Sequence, residues 1–139
     1  MAARTDYRLL FAGIAPLLLW PWIPPWSDAI LAHGLLSAII FCVSVAVLEE
    51  VLFRGFLQGW LLRKIFFKCA SLGLSRANWL TSFVFAAAHV WQHPLMLVPE
   101  YLAISLVLGY FRERYNGILV PVALHVWYNL ALLLLPRTL

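Results

Sequence analysis

The stretch Ala46-Val47-Leu48-Glu49-Glu50-Val51-Leu52-Phe53-Arg54 places two adjacent carboxylates and a guanidinium inside a long apolar run. A charged side chain at the centre of a membrane helix costs roughly 2.5–3.5 kcal/mol even on lenient insertion scales. Ionisable residues inside membrane segments are therefore rare, and they usually belong to a functional site. This stretch predicts a membrane-embedded fold with a polar site inside it.

The composition of the chain also favours a membrane protein. Of its 139 residues, 64% are hydrophobic and only 12% are charged, and its mean hydropathy is +0.89. Soluble domains carry about 25% charged residues. A membrane helix needs about 20 apolar residues, so the chain has room for about five spans. We therefore predict an all-α, polytopic transmembrane helix bundle that forms a single integral membrane domain over residues 1–139.

Five apolar blocks mark the predicted spans: Leu9–Ile23, Ala29–Leu62, Trp79–Gln92, Leu95–Phe111 and Ile118–Leu135. The second block is too long for one simple crossing, so we expect it to tilt, to project beyond the bilayer or to kink near Gly55 and Gly59. Within the fourth block, Ser105 and Gly109 form a small-x-x-x-small pair, which is typical of close helix packing.

The distribution of basic residues predicts the orientation. With five spans, only Arg137 falls on one side, and eight basic residues fall on the other: Arg4, Arg8, Arg63, Lys64, Lys68, Arg76, Arg112 and Arg114. The positive-inside rule then predicts a cytoplasmic N-terminus. Because these residues are scattered over three loops, the net charge of +4 indicates topology, and no nucleic-acid partner is expected. Cys42 and Cys69 predict neither a disulfide nor a metal site.

Three of the predicted spans carry an ionisable side chain at one shared depth. Each lies 11 to 13 residues from a basic residue of the predicted cytoplasmic loops: Glu50 before Arg63 (63 − 50), His89 after Arg76 (89 − 76) and His125 after Arg114 (125 − 114). At about 1.5 Å rise per helical residue, all three lie roughly 16–20 Å from the same membrane face. The shared depth predicts that they meet in one site.

The local spacings suggest a division of roles between the two carboxylates. Glu50 and Arg54 are four residues apart, so they can pair on one helix face, which would keep Glu50 ionised and structural. Glu49 points about 100° away around the helix. It is then free to face a cavity and to act as a general base that activates water.

The histidines supply the remaining chemistry for amide hydrolysis. His89 could orient the water or shuttle its proton, and Phe85 lies four residues earlier, where its ring would stack on the imidazole. His125 and Asn129 are also four residues apart, so both could donate hydrogen bonds to a developing oxyanion.

These motifs resemble those of the CPBP family, the CAAX-protease and bacteriocin-processing membrane enzymes also called the Abi family. The family pattern is Glu-Glu-x-x-x-Arg, then Phe-x-x-x-His, then His-x-x-x-Asn. Three segments of this sequence match the pattern in order: Glu49-Glu50-Val51-Leu52-Phe53-Arg54, Phe85-Ala86-Ala87-Ala88-His89 and His125-Val126-Trp127-Tyr128-Asn129. Each motif alone is weak, but three in order on separate apolar blocks are fairly specific. The resemblance places the protease core at about residues 29–132.

The resemblance implies a glutamate-dependent intramembrane endopeptidase. Carried over by position, Glu49 is the water-activating base, His89 assists it, and His125 and Asn129 stabilise the oxyanion. The supporting residues are Glu50, Arg54 and Phe85. No cofactor is expected. The family was long regarded as metalloproteases, so one alternative remains open. In it, zinc or another divalent metal is bound by Glu49, His89 and His125.

The expected partners are the lipid bilayer and a peptide or membrane-protein tail as substrate. The chain is smaller than the eukaryotic CAAX enzyme that it resembles, so a sorting-type substrate with a short transmembrane tail fits it at least as well as a prenylated one. We expect it in a prokaryotic cytoplasmic membrane.

Two other functions remain as alternatives. One is a catalytically silent immunity or partner-binding membrane protein, which the intact set of site residues argues against. The other is a small proton-coupled carrier, because chains of Glu and His also relay protons. A carrier would be favoured by inverted internal repeats, and the two halves of this sequence show no similarity.

Overall fold

The computed structural model describes residues 6–19, 32–71, 73–91 and 95–134, which are almost entirely helical. The helical elements in chain order are α1 (Tyr7–Leu19), α2 (Leu35–Glu50), a π-helical segment (Val51–Gln58), α3 (Gly59–Leu61), α4 (Ile65–Lys68), α5 (Arg76–His89), a 3₁₀ turn (Leu95–Leu97), α6 (Val98–Arg114) and α7 (Leu119–Leu134). The predicted all-α class is confirmed for these residues, with one exception. A short antiparallel hairpin, β1 (Ala70–Ser71) and β2 (Leu74–Ser75), was not predicted.

The predicted apolar blocks correspond to five helical stretches. The second block forms one continuous helix of 27 residues, Leu35–Leu61, which comprises α2, the π-helical segment and α3. In the described part of the chain, this is the one helix long and apolar enough to cross a membrane, and the apolar helix Leu119–Leu133 is shorter. The five-span arrangement and the cytoplasmic N-terminus stay predictions. Arg4, Arg137 and several block ends, at positions 23, 29, 92 and 135, lie outside the described residues.

The long helix changes its hydrogen-bonding pattern immediately after the paired glutamates. The π-helical segment begins at Val51 and ends at Gln58, where the sequence had predicted a tilt, a projection or a kink. Such segments are rare and often occur at functional sites. Here the side chains of Glu50, Arg54 and Gln58 all point into the bundle and are fully buried. The chain thus maintains a row of buried polar groups along an otherwise apolar helix.

The helices pack around α7 and α6. One apolar cluster joins α1, α6 and α7 through Ala12, Leu108, Phe111, Leu124 and Tyr128, and a smaller one joins α2 and α7 through Ala38, Cys42 and Leu133. Both cysteines are free thiols, as predicted.

Polar contacts hold α1 against the bundle at two levels. The Tyr128 hydroxyl donates to the carbonyl oxygen of Ala12 at 3.0 Å. Near the start of α1, the Arg114 guanidinium donates through Nε to Asp6 Oδ2 at 2.6 Å. This hydrogen bond holds the pKa of the Asp6 carboxyl below its usual value. Since a carboxyl with a lowered pKa is protonated only at lower pH, its contribution to docking is lost as the pH falls through that lowered value.

Helices α5 and α6 approach closely where Gly109 meets Asn78. The Asn78 side chain is held on both sides, because Nδ2 donates to the Leu106 carbonyl at 3.0 Å and Oδ1 accepts from Ser82 Oγ at 3.1 Å. A Cβ atom added at Gly109 would lie 2.0 Å from Asn78 Oδ1. The predicted small-x-x-x-small packing is therefore present, and it depends on the missing side chain of Gly109.

We expect Gly109→Ala to lower the free energy of unfolding by roughly 1–3 kcal/mol, because the new methyl overpacks against an anchored amide. Denaturant unfolding of the detergent-solubilised protein measures this change. Gly13→Ala in α1 is the matched control, since among the described residues no atom outside the local helix backbone lies within 4 Å of its added Cβ. The control should be neutral or slightly stabilising. Equal stability of the two variants would contradict the close approach of α5 and α6.

Candidate active site

The structure brings Glu49, His89 and His125 together from three separate helices. Glu49 lies at the end of α2, and its Oε1 is 3.8 Å from His89 Nε2 on α5. Its Oε2 is 3.6 Å from His125 Nε2 on α7. The Glu49 side chain is 24% exposed, whereas that of Glu50 is fully buried. The carboxylate of Glu49 is therefore the more accessible of the two.

Glu50 forms the buried side of the same cluster. Its Oε1 lies 3.1 Å from Arg54 Nη1, so the predicted ion pair is present. The same oxygen is 2.9 Å from His125 Nδ1, a contact that the sequence analysis did not predict. His125 thus faces one glutamate with each ring nitrogen. Arg54 is anchored in turn, because Nη2 donates to the Ser105 carbonyl at 3.1 Å and to Ser105 Oγ at 2.8 Å.

The imidazole of His89 is oriented by its own helix and by two aromatic rings. Its Nδ1 lies 2.8 Å from the Phe85 carbonyl oxygen, which directs Nε2 towards Glu49. The ring packs against Phe85 in a tilted arrangement, at 4.4 Å between centroids, and stacks on Tyr101 at 4.5 Å. The contact with Phe85 was predicted from the spacing, whereas Tyr101 of α6 was missed. One signal for it existed, because Tyr101 precedes Arg112 by 11 residues (112 − 101), the same separation that located His125.

Asn129 lies one helical turn away from His125 along α7. Its Nδ2 donates to the Cys42 carbonyl oxygen at 3.3 Å and so joins α7 to α2. Among the described residues, its hydrogen bond goes to this backbone group and not to Glu49 or His89. The predicted role of Asn129 in stabilising an oxyanion stays a prediction.

The hydrogen-bond partners constrain where the protons lie. A carbonyl oxygen and an ionised carboxylate only accept hydrogen bonds, so Nδ1 of His89 and Nδ1 of His125 both donate. In its neutral form, each imidazole then presents the lone pair of Nε2 to the Glu49 carboxylate. Glu49 is thus approached by Nε2 of both imidazoles. A carboxylate beside two imidazoles is an arrangement suited to proton transfer.

The described residues contain no group of three or more His, Cys, Asp or Glu side chains arranged to hold a metal ion. The expectation that no cofactor is needed stays a prediction, which chelation tests directly.

The comparison with known families identifies the class of protein. Residues 29–131 match a family of membrane-embedded proteases, and the match includes every motif residue from Glu49 to Asn129. That family is the type II CAAX prenyl endopeptidase Rce1-like family, and the chain belongs to it. The resemblance inferred from the three motifs is therefore confirmed. No curated protein and no solved structure matches the chain.

Proposed function

We propose that the chain is an intramembrane endopeptidase that hydrolyses a peptide bond of a membrane-associated substrate, with Glu49 as the general base. The observation that supports this most directly is the convergence of Glu49 with His89 and His125 from three helices. A partly exposed carboxylate between two imidazoles, in a chain of a protease family, is suited to activating water.

The distances in the cluster suit a bridging water. The separations of 3.8 Å and 3.6 Å between Glu49 and the two imidazoles exceed the roughly 2.7–3.2 Å of a direct N–H···O hydrogen bond. A water between them would donate one hydrogen to Glu49 and the other to Nε2 of His89. One of its two lone pairs would then be directed at the scissile carbonyl carbon.

The reaction then needs a donor for the oxyanion, and we assign that role to protonated His125. Two carboxylates and one guanidinium leave one negative charge, which an imidazolium between Glu49 and Glu50 would balance. Its Nε2–H can donate to the oxyanion that forms as water adds. Glu49 then passes the proton it took from water to the amide nitrogen, the C–N bond breaks, and a carboxyl and an amine are released. We propose that Asn129 assists as a second donor with its remaining N–H.

We further propose that the bundle spans the membrane five times with a cytoplasmic N-terminus, in a prokaryotic cytoplasmic membrane. The shared depth of the polar groups and the eight-to-one distribution of basic residues support this topology. Large apolar side chains on the outer helix surfaces support it too, since lipid accepts such a surface and water does not. They include Leu36, Leu48, Leu52, Phe56 and Phe83, which are 54% to 74% exposed.

The family name points to substrates with a prenylated C-terminal segment. The small bundle suits a short membrane-associated tail of either the prenylated or the sorting type, and cleavage products decide between them.

Quantitative profiling of peptide termini tests this function. Membranes with the wild type should contain new termini that are missing with Glu49→Gln. Glu100→Gln is the matched control, since it makes the same chemical change in the first turn of α6, and it should behave as the wild type. Identical termini in wild type and Glu49→Gln, with both proteins folded and inserted, would favour the alternative of a silent immunity or partner-binding protein.

We predict that cleavage does not need a metal ion. Activity of the purified protein should be unchanged after treatment with chelators of divalent metals, because protein groups alone supply the base and the oxyanion donor. Loss of activity on chelation that is restored by zinc would contradict this prediction.

A further inference from the structure

A row of unsatisfied polar atoms is buried between the π-helical segment, α5 and α6. Four buried side-chain atoms have neither a hydrogen-bond nor an ion-pair partner in the described part of the protein: Glu50 Oε2, Arg54 Nε, Gln58 Oε1 and Thr81 Oγ1. Buried polar groups in folded proteins nearly always have a partner, either in the protein or in ordered water. A set of four such atoms therefore points to a ligand.

Three of the four atoms belong to side chains of the long helix, and the fourth belongs to α5. Glu50, Arg54 and Gln58 lie on successive turns of the long helix, and all three are fully buried. Thr81 lies on α5, which packs against the π-helical segment, and it is 1% exposed. It lies one turn before Phe85, whose ring centre is 4.8 Å from the Arg54 guanidinium carbon. The unsatisfied atoms thus belong to buried side chains of two helical segments that pack against each other.

The chemistry of these atoms identifies the ligand. Arg54 Nε only donates, Glu50 Oε2 and Gln58 Oε1 accept, and the Thr81 hydroxyl does both. An anion would satisfy only the donors, and a cation would satisfy only the acceptors. Water satisfies both kinds, and buried water commonly makes about three such bonds.

The row formed by Glu50, Arg54 and Gln58 connects the candidate active site to a surface cavity. At one end, Glu50 contacts His125, which faces Glu49. At the other end, Gln58 Nε2 donates to Glu113 Oε1 at 2.8 Å. Glu113 lines a cavity of about 350 Å³, together with Gly73, Leu74, Asn78, Tyr110 and Arg114. The predicted topology places this cavity on the cytoplasmic side, where bulk water is available.

We infer that a file of buried water molecules runs along Glu50, Arg54, Gln58 and Thr81 and supplies the candidate active site from this cavity. Each peptide bond hydrolysed consumes one water, and lipid around the bundle supplies none. The supply role rests on the proposed peptidase function, whereas the hydration itself does not.

Thr81→Val tests the hydration, because valine has the shape of threonine without the hydroxyl. If water binds Thr81 Oγ1, the change breaks the file and leaves its neighbours unsatisfied. The unfolding midpoint in detergent should then fall by roughly 2–4 °C. Val84→Thr is the matched control, since it makes the reverse exchange on the exposed face of the same helix and should not shift the midpoint. An unchanged or higher midpoint for Thr81→Val would show an unhydrated hydroxyl and overturn the inference.

Cleavage kinetics test the supply role separately. Thr81→Val should lower kcat and leave KM unchanged, because Thr81 lies beyond the three groups proposed to bind and activate water. A lower midpoint with an unchanged kcat would overturn the supply route. If the wild type cleaves nothing, the proposed function fails, and the midpoints of Thr81→Val and Val84→Thr still decide whether the water file is present.

Discussion

Glu49→Gln should abolish peptide cleavage, with kcat lowered by roughly 10²–10⁴-fold or more, the range that a general base contributes. The amide of glutamine has nearly the same shape as the carboxylate, but it cannot accept a proton from water. Because the Glu49 side chain is 24% exposed and Glu50 carries the buried ion pair, the variant should fold and insert normally. Single-turnover cleavage of a substrate found by terminus profiling measures the effect.

The pattern of kinetic constants distinguishes the base from a binding residue. Loss of kcat at an unchanged KM is expected for a group that acts on the water, and loss through KM alone would indicate a contact with substrate. His125→Ala should also abolish cleavage, because it removes the ring that contacts both carboxylates. Full activity of Glu49→Gln would rule out the mechanism.

Arg54→Met should lower the free energy of unfolding by roughly 3–5 kcal/mol, the cost of leaving one partner of a buried ion pair uncompensated. Both Arg54 and Glu50 are fully buried, so Glu50 would keep its charge with only His125 to stabilise it. Methionine retains most of the apolar volume of arginine, which limits the contribution from packing. Denaturant unfolding in detergent measures the difference.

The double variant Glu50→Gln with Arg54→Met shows whether the uncompensated charge of Glu50 causes the loss of stability in Arg54→Met. It removes the carboxylate along with the guanidinium, so it should recover a large part of the stability lost in the single variant. Arg114→Met removes the arginine of the exposed Asp6–Arg114 pair and should change stability little, since solvent screens that pair. Equal stability of the single and double variants would contradict an uncompensated charge at Glu50.

Several features of the fold and the site could be predicted from the sequence because they depend on local spacing and hydropathy. Apolar blocks located the five helical stretches within a few residues at the described ends. The four-residue separations placed Glu50 beside Arg54 and Phe85 beside His89, as the structure has them. The distances to flanking basic residues predicted Glu50, His89 and His125 at one level, which follows from the constant rise of a helix.

Other features of the site depend on how the helices are rotated against one another, and hydropathy does not determine this rotation. The sequence did not predict the π-helical segment, the stacking of Tyr101 on His89 or the bond from Asn129 to the Cys42 carbonyl. It also did not show that His125 bridges Glu49 and Glu50, a contact between residues 75 positions apart.

The sequence by itself therefore determined the helical class, the family and the candidate site residues. The tertiary structure decided which ring nitrogen faces which carboxylate and where buried polar atoms lack a partner. The physical reason is that helix formation and depth follow from local composition. Contacts between helices instead follow from side-chain packing across the whole bundle, such as the approach that Gly109 permits to Asn78.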